Sequence, residues 1–327
     1  MSELNTRIAF FGTSEFVSSI QNARFLRLLM AAGIRPVVVV TAPDAPRGRE
    51  WKPRPLAVKS AALEFGLPLL QPSTLNGFSP ELAKREIELS LVVAYGKILP
   101  PEVLAVPKFG SLNVHPSLLS RWRGPTPIQA AILAGDSVTG VTIIQMDERM
   151  DHGPIIAKRQ FPLGERAWTA PLLSDALTDL GVELFLEILE PWVLGKIIPQ
   201  PQNHEAASYS RILKKEDGGI DWSRPALEIE RMVRAFQPWP GVYTFWQHDG
   251  KAVRLAIVGA RCEARGASRA GTSPGRAGRV GNADHGFGVI AGDGLLVVEQ
   301  LKPEGGKTMT AADFLRGHPG FIGATLT

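Results

Sequence analysis

Short, fully apolar runs recur through the first half of the chain and alternate with longer amphipathic stretches. Arg7 to Phe11, Val37 to Thr41 and Leu89 to Tyr95 show no in-out alternation, the pattern of strands buried on both faces. Leu67 to Leu70, Val141 to Met146 and Pro154 to Phe161 read as further strands. Between them, Phe25, Leu28, Leu29 and Ala32 mark one face of a helix over about Phe16 to Ala32, ended by Gly33. Helices are also predicted over Leu56 to Phe65, Thr126 to Ala134 and Ala170 to Leu194. Strands alternating with helices predict a doubly wound α/β domain with a mostly parallel sheet.

The pattern changes after residue 195. Lys196 to Ser210 is polar, carries Pro199 and Pro201 and lacks periodicity, as expected of an interdomain linker. Beyond it, Ile229, Met232, Val233 and Phe236 make one helical stripe. Short strands follow at Val242 to Gln247, Ala252 to Val258, Phe287 to Ala291 and Leu295 to Leu301, with turn residues at 248–251 and 292–294. Many short strands with such turns predict a smaller, OB-like β-barrel. Gly259 to Val280, rich in Gly, Ala and Arg, reads as a loop that packs no core, and Asp313 to Leu315 as part of a closing helix. The expected organisation is an α/β domain over 1–195, a linker over 196–210 and the barrel over 211–327.

Length agrees with two domains, since 327 residues exceed one typical core. No apolar run approaches the ~20 residues that span a bilayer, and Met1 to Arg7 has no signal-peptide pattern. Cys262 is the only cysteine, so no internal disulfide can form. The expected protein is a cytoplasmic monomer without membrane contact. None of the six histidines has the spacing of a zinc site, and no metal is expected.

Charge adds a partner class. The net charge is only +4, yet residues 47–59 hold five basic side chains against one acidic, and residues 251–279 seven against one. Two basic stretches on an otherwise acidic chain point to a polyanion. The first of them contains Arg47, Arg49 and Lys52 in a loop whose prolines and glycine argue against regular structure. The second contains Arg265, Arg269 and Arg276.

The chemistry concentrates in Ser111 to Gly153. Asn113 and His115 stand two apart in an apolar run ended by Pro116, so they share one face at the end of a strand. Ligands of open α/β sheets bind at that edge. Asp151 follows the next apolar run and can return a carboxylate there. An amide, an imidazole and a carboxylate suit acyl transfer to an amine: two groups stabilise an oxyanion and one takes a proton. Gly12-Thr13-Ser14-Glu15 is neither a dinucleotide fingerprint nor a phosphate loop, which excludes the common nucleotide sites.

Asn113-Val-His-Pro-Ser-Leu-Leu119, then Arg121-Trp-Arg-Gly124 with Pro127-Ile-Gln129, then Met150-Asp-His-Gly-Pro154 resemble the 10-formyltetrahydrofolate-dependent formyltransferases. The likeness runs from Phe11-Gly12-Thr13 to Asp313-Phe314-Leu315. It implies a Rossmann-like formyltransferase domain followed by the OB-like barrel. The family's catalytic Asn, His and Asp fall on Asn113, His115 and Asp151. Its folate-contacting segment falls on Ser117, Leu118, Leu119 and Ser120, with Ser120 where proline is usual, and the turn Tyr95-Gly96 lines the same pocket. The branch that acts on methionyl initiator tRNA fits best, because its loop entering the acceptor arm matches residues 47–59, with Arg49 and Lys52 on basic positions. The resemblance thus implies 10-formyltetrahydrofolate as co-substrate and methionyl initiator tRNA as partner. Sugar-amine formyltransferases and formyltetrahydrofolate hydrolases share the catalytic motifs but have no need of the basic stretches. An RNA-binding protein without activity would have no need of Asn113, His115 and Asp151 together.

Overall fold

A computed structural model describes residues 6–13, 18–47, 52–54, 56–263, 277–283 and 286–327. They fall into two compact units, Met1–Ala131 with Asp136–Arg166 and Pro171–Ile212 in the first, and Leu213–Thr327 with Ile132–Gly135 and Ala167–Ala170 in the second.

In chain order the first unit runs β1 (Ile8–Phe11), α1 (Ser18–Ala31), β2 (Val38–Val40), β3 (Ala45–Arg47), β4 (Lys52–Arg54), α2 (Ala57–Glu64), β5 (Leu69–Leu70), α3 (Ser79–Ala83), β6 (Leu89–Val92), α4 (Pro101–Leu104), β7 (Ser111–His115), α5 (Pro127–Ala134), β8 (Val138–Gln145), β9 (Ile155–Pro162) and α6 (Ala170–Val193). Among the described residues its main sheet is ordered β5-β2-β1-β6-β7-β8-β9. The pairs from β5 to β7 are parallel, and β7-β8 and β8-β9 are antiparallel. The missing alternation in β1, β2 and β6 is explained by burial of every residue in them. Ala9, Phe11, Val38, Val40 and Val92 share one apolar cluster, while Phe10 meets Phe25 of α1, ring centroids 6.3 Å apart. The two sides of a strand thus face two separate layers.

Three expectations change. The loop after β2, expected to lack regular structure, forms a short hairpin in which Ala45, Pro46 and Arg47 oppose Arg54, Pro53 and Lys52. Proline at one register position of both strands is compatible with an antiparallel pair, in which alternate residue pairs exchange no main-chain hydrogen bonds. Residues 196–210, expected as a linker, are tied to the first unit: Gln200 and Ile155 exchange main-chain bonds of 2.7 and 2.8 Å. Finally, Gly259 to Glu263 continues a strand instead of opening a loop.

The second unit holds α7 (Ala226–Ala235), β10 (Val242–His248), β11 (Lys251–Glu263), β12 (Val280–Ala283), β13 (Gly286–Ile290), β14 (Leu295–Pro303), β15 (Met309–Thr310) and α8 (Ala311–Gly317). Its antiparallel sheet, ordered β10-β11-β14-β13-β12 with β15 on β14, curls into a half-barrel of the OB-like kind. A register shift in β11 around Gly259 supplies the bend. Ile229, Met232 and Val233 of α7 are buried as the stripe predicts. No helix among the described residues is long and apolar enough to cross a membrane.

Candidate active site

β7 presents Asn113 and His115 on one face, as their spacing predicts. His115 pairs in register with Thr142 of β8, and Asn113 with Ile144. Because β8 is antiparallel, its end lies beside Leu112. Asp151 therefore does not extend the sheet edge; the loop after β8 brings its carboxylate back to the Asn113 and His115 side chains.

The three groups meet closely. Asn113 Nδ2 donates to Asp151 Oδ1 at 3.1 Å, and His115 Nδ1 lies 3.5 Å from the same oxygen. The Gly124 N–H donates to Asp151 Oδ2 at 2.7 Å. His115 Nε2 is 2.9 Å from the Trp122 carbonyl. A carbonyl only accepts, so Nε2 carries the hydrogen of this contact, and Nδ1 is the ring nitrogen that faces Asp151. His115 is 4 % exposed, which strengthens each of these interactions relative to water.

The loop geometry is demanding. Asp151 has φ 52°, a left-handed backbone that costs a non-glycine residue about 1–3 kcal/mol unless its surroundings hold it. Gly153 permits this turn, because a Cβ there would stand 1.9 Å from the Gln145 carbonyl oxygen. Gly124, at φ 105°, is required too: a Cβ would lie 2.7 Å from the Ser210 carbonyl oxygen.

The folate-loop candidates follow directly. Thr142 Oγ1 donates to the Ser117 carbonyl at 2.7 Å and accepts from the Leu119 N–H at 3.0 Å. Ser117 is buried and its hydroxyl donates to the Arg121 carbonyl at 2.6 Å. Leu118 lines a small cavity of about 160 Å³ with Trp122 and Asp136. The Ser120 hydroxyl donates to the Asn203 carbonyl at 2.6 Å. Residues 117–120 are thus a braced segment beside His115. Gly96 is exposed with open space around it, but the Tyr95 ring packs edge-on against Phe11, centroids 5.3 Å apart. Its hydroxyl is buried without a hydrogen-bond partner among the described residues, and burial pushes the phenol up to about 12. The half-buried Tyr95 ring therefore packs against the core, and the turn's exposed part is Gly96.

Of the basic candidates, Arg47 and Lys52 lie opposite each other on the hairpin. Arg49, Arg265, Arg269 and Arg276 lie outside the described residues. No cluster of His, Cys, Asp or Glu able to hold a metal occurs among the described residues.

Sequence reasoning missed a second set of residues. Ser208 accepts the Arg123 N–H at 2.9 Å and donates its own to the Ser120 carbonyl at 3.2 Å. Thr126 donates to Ser210 Oγ at 3.0 Å. The Arg123 guanidinium, 3 % exposed, donates to Gln202, Tyr209 and His204. The His204 ring stacks on His152, centroids 4.1 Å apart. Burial and the neighbouring His152 and Arg123 charges hold His204 below its usual pKa. The only sequence signal for this strap was a polar stretch whose partners lie far away in the chain.

The chain is similar to known proteins along most of its length. Residues 6–189 match a family model described as formyl transferase, and residues 212–319 one described as formyl transferase, C-terminal domain. The methionyl-tRNA formyltransferase of Roseiflexus castenholzii is 42 % identical over 316 residues, covering 96 % of each chain. That of Chloroflexus aurantiacus is 43 % identical over 313 residues, 95 % of this chain and 96 % of its own. Among solved structures, HypX from Aquifex aeolicus in complex with tetrahydrofolic acid superposes with a TM-score of 0.61 at 21 % identity, over 94 % of this chain and 46 % of that one. At that identity the likeness concerns the fold.

Proposed function

The chain belongs to the formyl transferase family, and we propose on that premise that it moves the formyl group of 10-formyltetrahydrofolate onto the α-amino group of methionyl initiator tRNA. The product is N-formylmethionyl-tRNA for translation initiation. The observation that carries the reading is the meeting of Asn113, His115 and Asp151 on one face of β7.

The amine has a reference pKa of about 7.7–8.0, and the adjacent ester lowers it, so it is nucleophilic near neutral pH. As its nitrogen bonds to the formyl carbon, negative charge collects on the formyl oxygen. The second Nδ2 hydrogen of Asn113, without a partner among the described residues, is free to donate to that oxygen. His115 joins it by exchanging the Trp122 carbonyl for the oxyanion. Asp151 accepts the proton the amine loses, directly or through water, and orients His115. When the bond from the formyl carbon to the folate nitrogen breaks, that nitrogen takes up a proton, which the Asp151–His115 pair can return. Ser117 to Ser120, braced by Thr142, fit a folate contact beside these groups.

The basic stretches grip the tRNA in this reading. Arg47, Arg49 and Lys52 act near the reacting end, whereas Arg265, Arg269 and Arg276 supply affinity. The catalytic set is complete within one chain, and the protein works as a cytoplasmic monomer, with an α/β catalytic domain and a barrel that binds tRNA. The test is to offer purified protein 10-formyltetrahydrofolate with methionyl initiator tRNA, an amino-sugar nucleotide or glycinamide ribonucleotide. Formylation of the tRNA is expected. Formylation of a small amine alone would overturn the assignment.

A further inference from the structure

Gln202 is 6 % exposed although Pro201, Asn203, His204 and Glu205 around it are exposed. Its Nε2 donates to the Asp151 carbonyl at 2.9 Å and to the Gly153 carbonyl at 2.8 Å. Its Oε1 accepts from Arg123 Nη2 at 2.7 Å and Nε at 3.1 Å. Both hydrogens and both lone pairs of the amide are in use, so Gln202 has nothing left to offer a substrate. Its two donors land on carbonyls that bracket the turn carrying the Asp151 carboxylate, a turn with a left-handed residue at its head.

Arg123 closes the arrangement. Its guanidinium holds the Gln202 amide, and the next residue, Gly124, donates its N–H to the Asp151 carboxylate. One short segment therefore fixes Asp151 twice, at the carboxylate directly and at the main chain through Gln202. We propose that Gln202 is a positioning residue for formyl transfer: it locks the 151–153 turn so that Asp151 faces Asn113 and His115, with Arg123 setting the orientation of its amide. The inference rests on Asp151 being the proton acceptor. Misplacing a reacting group by about 1 Å can cost on the order of 10²-fold in rate, so loss of the lock should register in turnover more than in binding.

Gln202→Glu keeps oxygens facing the Arg123 guanidinium but removes both donors to the turn. Gln202→Met removes every hydrogen bond at similar length, and its unfolding midpoint reports how far the amide matters to folding alone. For folded Gln202→Glu, kcat should fall by roughly 10- to 100-fold with KM for folate and tRNA nearly unchanged. Combined with Asp151→Asn, the Glu substitution should add less than about 3-fold, because residues acting as a unit are not additive. Near-normal kcat in folded Gln202→Glu, or losses that multiply in the double variant, would overturn the proposal. Wild-type formylation of methionyl-tRNA in the same assay separates the two claims. With it present, an indifferent Gln202→Glu removes the positioning role alone; without it, the formyl-transfer reading falls and this inference falls with it.

Discussion

The candidate active-site edge of the first unit and the curled sheet of the second are held by opposite means. Around Asp151 the buried groups are polar: His115, Ser117, Arg123, Thr142 and Gln202 are nearly inaccessible and hydrogen-bonded. In the second unit Phe287, Phe314 and Phe321 are almost fully buried, and Phe314 and Phe321 meet edge-on with centroids 5.0 Å apart. Hydrogen bonds fix direction, whereas apolar contacts fix volume. The first region needs direction, because a carboxylate must face an amide and an imidazole within tenths of an ångström. The second is filled by aromatic rings that set volume rather than direction. Substitutions should therefore separate the two, with activity lost at the edge and stability lost in the barrel.

The largest expected effect is on the apolar side. Phe314→Ala leaves a cavity among aromatic rings and should lower unfolding free energy by about 3–5 kcal/mol, read by denaturant titration. A shift under about 1 kcal/mol would mean that the aromatic cluster is not the second unit's support.

An intermediate effect falls on the arginines of residues 264–276. Each neutralised phosphate contributes about −0.7 to −0.9 to the slope of log K against log salt. Replacing Arg265, Arg269 and Arg276 by Ala should flatten that slope by about 2 and raise KM for tRNA, with kcat intact. An unchanged slope would remove this stretch from the tRNA contact.

The smallest effect concerns Tyr95, an expected folate-side residue whose half-buried ring packs against the core. Its phenol is raised to about 12 in the fold, above the ordinary value near 10. The unfolded chain thus loses this proton first, so stability should fall as pH rises from about 10 toward 12. Tyr95→Phe should abolish that part of the fall and cost little at neutral pH, since the hydroxyl has no partner among the described residues. A wild-type pH dependence persisting in Tyr95→Phe would place the titration elsewhere.

The same contrast explains what could be read from the chain. The strands and helices follow apolar periodicity, and Asn113 and His115 follow from spacing two apart before Pro116. Asp151 was legible as a carboxylate after the next strand, but the route it takes back to β7 was not, because periodicity does not give strand direction. Gln202 and Arg123 stand 79 residues apart, and a polar stretch without periodicity reads as a linker whether or not it is bonded to something distant. The β3-β4 hairpin was hidden by prolines that oppose each other. The end of β11 was hidden by Gly and Ala, whose pairing is set by β14 rather than by their own propensity.

The central claim is that Asn113 helps to stabilise the oxyanion beside Asp151 without serving as structural support. The direct measurement is kcat and unfolding midpoint for Asn113→Ala on one preparation, with 10-formyltetrahydrofolate and methionyl initiator tRNA as substrates. Losing one oxyanion donor typically costs ~10²–10³ in turnover. Asp151 keeps its bond from the Gly124 N–H, so the midpoint should move little. A fall in kcat of that order in a folded protein is the predicted result. Near-normal kcat at an unchanged midpoint would contradict the account.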